Sequence, residues 1–292
     1  MAQAPRVDCG DVPVDPYREA LYTPAELYDV QPYADSLDAR AYAWSHEIPS
    51  PQATLAQALH DHGIDEALTD WLPGRRLVGV MGGHDLDRSS ARYADAARLG
   101  WMLGQHYVVA TGGGPGAMEA ANLGCFLAGS SRDDLARAVT SLAGVPSFRP
   151  SVDQWAAKAM TVTAGIDGRD SLGVPTWFYG HEPPNVFATA IAKYFRNAIR
   201  EAILLQICDA GIVFLPGVGG TVQEVFQDAC ENYYAAPESV APMVLVGRTY
   251  WTETLPVWPL LRSLAHGRPM EGHIHLVDDV EAAAAVIVEK TV

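Results

Sequence analysis

Three apolar runs, each ending in glycine and each followed by a helical pattern, constrain this chain more than any other feature. Leu77-Val78-Gly79-Val80-Met81 ends in Gly82-Gly83, and Tyr107-Val108-Val109-Ala110-Thr111 ends in Gly112-Gly113-Gly114-Pro115-Gly116. Gly211-Ile212-Val213-Phe214-Leu215 runs into Pro216-Gly217. Short, continuously apolar, β-branched runs suit strands buried on both faces, and glycine at their ends lets the backbone turn tightly or approach a ligand. Further strands are expected at 174–179, despite Pro175, and at 243–246 and 274–277. Helices are expected from Ser89-Ser90 to about 105, over 117–128, twice within 131–165, over 185–207, and after Thr221. The alternation predicts a Rossmann-like doubly wound parallel sheet with helices on both faces, in the order 3-2-1-4-5-6. Ligands of such sheets bind beyond the strand C-termini where the order reverses, here between the first and fourth strands.

The first part of the chain reads differently. Residues 1–72 form a partly helical N-terminal extension, and residues 73–292 the nucleotide-binding domain. The extension carries Tyr17, Tyr22, Tyr28, Tyr33 and Tyr42 and is expected to pack on the main domain or on a partner subunit. A partly disordered arm is the alternative. Ser50-Pro51 opens a helix over 52–62, with Gly63 as its stop.

Formal net charge is −15, and the only lysines are Lys158, Lys193 and Lys290. Such a surface repels phosphate backbones, which excludes general nucleic-acid binding. A small phosphorylated ligand is still allowed, because a local cradle of backbone N–H groups can outweigh the global charge. Cys9, Cys125, Cys208 and Cys230 form no C-x-x-C, so buried free thiols are expected rather than zinc or disulfides. No metal and no cofactor are expected. The N-terminus lacks a basic stretch followed by an apolar core, and no apolar run reaches membrane-helix length. The expectation is a cytoplasmic protein without membrane attachment.

The motifs lie on the expected rim. Gly112, Gly113, Gly114, Gly116 and Met118 fit a loose dinucleotide pattern between strand and helix, although a tight turn without ligand has the same sequence. Pro216-Gly217-Val218-Gly219-Gly220-Thr221-Val222-Gln223-Glu224 is more specific. Gly217, Gly219, Gly220 and Thr221 would leave amides and a hydroxyl free for an anion at a helix N-terminus. Thr221 and Glu224 also have capping-box spacing, so Glu224 has a purely structural alternative. Gly82, Gly83 and His84 follow the first strand, with Asp85 beside them. His181, Glu182 and Asn185 follow the third.

Together, residues 112–119 and 216–224 resemble the LONELY GUY family, often labelled "lysine decarboxylase". The run Glu182-Pro183-Pro184-Asn185 resembles bacterial nucleotide 5′-monophosphate nucleosidases of the same superfamily. The likeness covers about 75–247. It implies hydrolysis of a nucleoside 5′-monophosphate to free base and ribose 5-phosphate, and a homodimer or larger homo-oligomer. It also implies a catalytic arginine and glutamate, which fall on Arg200 and Glu224. A helix-surface ion pair is the alternative for Arg200, and Arg196 is a neighbouring candidate. Three departures stand out: Val218 replaces a glycine, Glu201 replaces a lysine, and the 209–216 stretch is one residue longer than usual.

Other functions fit less well. A pyridoxal-phosphate decarboxylase needs a Schiff-base lysine, and none is expected at a strand end. An NAD-dependent enzyme needs a ribose-binding acid that does not appear. A non-catalytic nucleotide or molybdenum-cofactor carrier on the same fold is the main alternative; it need not keep Arg200 and Glu224.

Overall fold

The computed structural model describes residue 7 and residues 9–180 and 182–289. Among these residues seven strands form one parallel sheet: β1 Leu77–Met81, β2 Val108–Thr111, β3 Ser171–Gly173, β4 Ala190–Ile191, β5 Ile212–Phe214, β6 Met243–Val246 and β7 Ile274–Val277. Their order is β4-β3-β2-β1-β5-β6-β7. This is the expected doubly wound arrangement with one more edge strand, and the order reverses between β1 and β5.

Alternation along each strand divides the core. Val78 and Val80 face one cluster, with Tyr93, Ala120, Leu135, Trp155 and Ala283. Leu77 and Met81 face the other, with Ile64, Leu204, Val225 and Leu261. Helices α4 Ala91–Leu103, α5 Ala117–Phe126, α6 Arg132–Leu142, α7 Val152–Thr163 and α11 Val280–Glu289 cover the first face. Helices α3 Pro51–Trp71, α8 Asn197–Gln206, α9 Gly219–Tyr234 and α10 Val257–Ala265 cover the second. Serine hydroxyls start several of them: Ser50, Ser90, Ser131 and Ser151 each accept an amide of the first turn.

Differences from the sequence reading have local causes. The third strand is 171–173, not 174–179; Pro175 has no N–H to donate, and only an isolated bridge from Thr176 to Tyr194 follows. The helix expected over 185–207 is only 197–206, because β4 occupies its first half. From Pro183 to Phe195 every residue but Thr189 is buried, which a one-faced helix does not permit. Helix α3 continues past Gly63 to Trp71; glycine is there because a β-carbon would stand 2.6 Å from the Arg18 carbonyl oxygen. Cys230 is exposed rather than buried, while Cys9, Cys125 and Cys208 are buried.

The segment before α3 contains two further helices, Pro24–Leu27 and Leu37–Ser45 (α1 and α2), and covers the β4 edge. Tyr22 pairs with Ile191 in an antiparallel bridge, and its amide donates to the Ile191 carbonyl at 2.9 Å. Asp38 accepts from Lys193 Nζ at 2.5 Å and from the Trp177 indole at 2.8 Å, all three being buried. Among the described residues no helix is long and apolar enough to cross a membrane.

Candidate functional site

The loops after β1 and β5 meet where the strand order reverses: Gly83 N–H donates to the Pro216 carbonyl at 3.4 Å. The loop after β1 also accepts from Ala117 N–H at the Gly83 carbonyl, 3.0 Å, and the Tyr250 hydroxyl donates to the Gly217 carbonyl at 2.9 Å. The turn into α5 needs glycine at 116: its φ is +71°, and a β-carbon would sit 2.6 Å from the carbonyl oxygens of Gly83 and His84. Between these loops, α8 and α9 lies a cavity of about 400 Å3. Gly82, Gly83, His84, Gly112, Gly114, Met118, Glu182, Arg200, Gly219, Gly220, Thr221 and Glu224 of the expected site all line it.

Helix α9 starts earlier than expected, at Gly219, with Val218 in the cap position and no side-chain cap. Thr221 is therefore inside the first turn, and the Thr221–Glu224 capping box does not form, since such a box joins the cap residue to the third helical position. Gly219 and Gly220 are exposed, and nothing lies within 4 Å of where their β-carbons would be. Packing thus does not explain these glycines; bare amides at a helix N-terminus suit an approaching anion.

Arg200 and Glu224 meet despite the longer stretch before Pro216. Arg200 Nη1 is 3.8 Å from Glu224 Oε1, and each residue is only 8% exposed, so the surface-pair alternative does not describe Arg200. Arg196 is exposed, at the cap position of α8. Arg200 Nη2 contacts Glu201 Oε1 at 2.8 Å and donates to Asn197 Oδ1 at 3.0 Å. Its Nε, like Glu201 Oε2, is buried without a hydrogen-bond partner.

Among the described residues, three carboxyl groups line this cavity against one guanidinium. Burial pushes Glu224 up from its ordinary 4.5 to about 8; the Glu201 charge adds to the rise and Arg200 opposes it. Burial also raises Glu201, against Arg200 and the Asn197 hydrogen bond. Glu182 is raised by burial, opposed by His84 and Arg200. His84 bridges two acids: Nδ1 lies 3.5 Å from Glu182 Oε1, and Nε2 lies 3.0 Å from Asp85 Oδ1.

Four expected residues are not in the cavity wall. Gly217 lines a neighbouring cavity of about 570 Å3, which shares Gly83, His84 and Val218 with the first and is also lined by Arg248 and Tyr250. Gly113 and Gly116 shape the β2–α5 loop from behind, both at positive φ. Asn185 is fully buried and serves the same loop: its amide nitrogen donates to the Gly114 carbonyl at 3.2 Å, and its oxygen accepts from Phe187 and Ala188. His181 lies outside the described residues.

Tyr179, Thr176 and Gln223 also line the cavity and did not stand out in the sequence. Tyr179 falls inside the expected third strand; its hydroxyl accepts from Asn197 at 3.0 Å. Asn197 was detectable, being three residues before Arg200 and four before Glu201 on one helix face.

Lys193 corrects one exclusion. It follows β4, a strand end the sequence did not reveal, yet it is held by Asp38 and does not line the cavity. Lys290 lies outside the described residues. Among the described residues no group of three or more His, Cys, Asp or Glu is arranged to hold a metal ion.

The strand order and glycine-lined rim define a Rossmann-like α/β protein. No protein-family model matches the chain, and no curated protein matches it. Among solved structures it resembles the molybdenum cofactor binding protein of the phototrophic bacterium Rippkaea orientalis, at 17% identity over 75% of this chain and 99% of that one, with a TM-score of 0.44. It also resembles the molybdenum cofactor carrier protein of Chlamydomonas reinhardtii, at 19% identity over 74% and 97%, with a TM-score of 0.43. These likenesses are distant and extend to no activity.

Proposed function

We propose that the chain hydrolyses the N-glycosidic bond of a nucleoside 5′-monophosphate, of the AMP or cytokinin-riboside-monophosphate type, to free base and ribose 5-phosphate. One observation carries this reading: Arg200 and Glu224, from separate helices, lie 3.8 Å apart in a cavity walled by the uncapped N-terminus of α9. The phosphate is held by the amides of Gly219, Gly220 and Thr221, with the Thr221 hydroxyl as a further donor. The base lies toward Gly112, Gly114 and Met118, within reach of His84 and Glu182.

Cleavage sends the C1′–N electron pair to the base and leaves positive charge on the ribose. Ionised Glu224 stabilises that charge and aligns a water; the water's hydroxyl ends on C1′ and its proton, by way of the site, on the base. Arg200 holds the ribose or phosphate and orients Glu224. Cytoplasmic location and assembly as a homodimer or larger homo-oligomer belong to the same proposal.

A non-catalytic nucleotide or molybdenum-cofactor carrier is the second reading. The neighbouring cavity favours it, being larger and lined by neither Arg200 nor Glu224. Incubating the purified protein with nucleoside 5′-monophosphates and their matching nucleosides, followed by chromatography, separates these readings. Release of base from AMP but not from adenosine is expected. Equal rates with both would mean that the phosphate is not recognised, and tight binding without turnover would favour the carrier.

A further inference from the structure

We infer that Glu201 is a positioning residue that divides the charge of Arg200 with Glu224, so that the two carboxyl groups share one proton in the unliganded site. The inference rests on the hydrolase reading for its consequence, but its geometry is independent of it. Glu201 and Asn197 both engage Nη2 of Arg200, which turns Nη1 toward Glu224 and the cavity. Nη1 also lies 3.6 Å from where a β-carbon on Gly112, another lining residue, would stand. Glu201 takes the short contact, 2.8 Å, and Glu224 the long one, 3.8 Å. One buried guanidinium cannot neutralise two buried carboxylates, and two acids that both lie within 4 Å of the same guanidinium do not both ionise readily.

Among the described residues no other arginine or lysine lines the cavity. Glu224 faces Arg200 and Glu201 from α8, and Cys208 lies just beyond that helix. Asp228 is one turn further along α9, itself buried and raised by burial. Across the cavity, Glu182 adds another acid, and His84 lies against Glu182 and Asp85. A proton retained between Glu201 and Glu224 lowers the negative charge that an incoming phosphate meets. Positive charge on the ribose then favours the ionised form of Glu224 when cleavage needs it.

The test reads Glu224 itself. Side-chain carboxyl carbons of glutamate are labelled with 13C and titrated by NMR, with Glu224→Gln identifying the resonance. In the wild type, Glu224 should titrate near or above neutrality. In Glu201→Gln it should titrate lower by ~1 pH unit or more, because Arg200 is no longer divided. Glu201→Met, which also removes the charge, should give the same shift, and Glu201→Asp should titrate like the wild type. The acid limb of kcat/KM against pH should move down with the resonance. A wild-type Glu224 that titrates near 4.5, or one that Glu201→Gln and Glu201→Met leave in place, overturns the inference. A shifted resonance in a protein that cleaves no nucleotide would leave the inference standing and refute the hydrolase reading.

Discussion

Glu224 sits in a place that suits chemistry and costs stability. Its carboxyl is buried beside Glu201 and pushed up from 4.5 to about 8. Between those values the folded chain keeps a proton that the unfolded chain has released, so stability falls as pH rises through that window and levels off above it. Glu224→Gln removes this linkage. Its melting temperature should equal the wild type's near pH 5 and exceed it near pH 9; a gap that does not grow with pH would contradict the raised ionisation. The same substitution should lower kcat by about 10²-fold or more, as loss of a preorganised electrostatic group does, with a smaller effect on substrate affinity. Wild-type kcat/KM should rise with pH from about 6 to 9, because the proposed reaction uses the ionised carboxylate. Arg200→Ala should show a comparable loss in kcat, since Arg200 is the cation facing Glu224.

At the scale of elements, the loop after β2 is held by a buried polar network. Asn185 reaches Gly114, Asn122, Phe187 and Ala188, and Thr111 bonds Asn122 and Gly113. Asn185→Ala leaves several of these groups buried and unpaired, at about 1–3 kcal/mol each. Thermal unfolding should show the lower melting temperature, and calorimetry a weaker affinity for nucleoside monophosphates; an unchanged affinity would detach this loop from the ligand. The β2–α5 and β5–α9 loops were legible in the sequence because glycine at a strand end has few other uses, as Gly116 and the bare Gly219-Gly220 pair illustrate. Strand β4 was not legible. Ala190 and Ile191 become a strand only through β3 on one side and Tyr22 on the other, contacts that local patterning does not encode. Glu201 was visible as a departure, but its meaning depends on Arg200 being buried between two acids. Asn185 was placed near the right loop, but its spacing does not tell a ligand contact from the backbone clamp that its hydrogen bonds form.

At the scale of the molecule, the N-terminal segment closes the β4 edge and supplies Asp38 to the buried Lys193. Asp38→Ala strands an ammonium group beneath Trp177, and breaking a buried pair in this way costs about 3–5 kcal/mol. Chemical denaturation should show that loss; a variant as stable as the wild type would mean that Lys193 sheds its proton without penalty. The sheet in turn fixes α8 and α9 so that Arg200 and Glu224 share one cavity, where the proposed function has this pair break a ribose–base bond. The most direct measurement incubates AMP with the wild type and with Glu224→Gln, quantifying adenine and ribose 5-phosphate by chromatography. Equimolar products from the wild type, and about 10²-fold slower release by a folded Glu224→Gln, are the expected result. AMP recovered intact from a saturated wild-type protein, or near-normal release by Glu224→Gln, would contradict it.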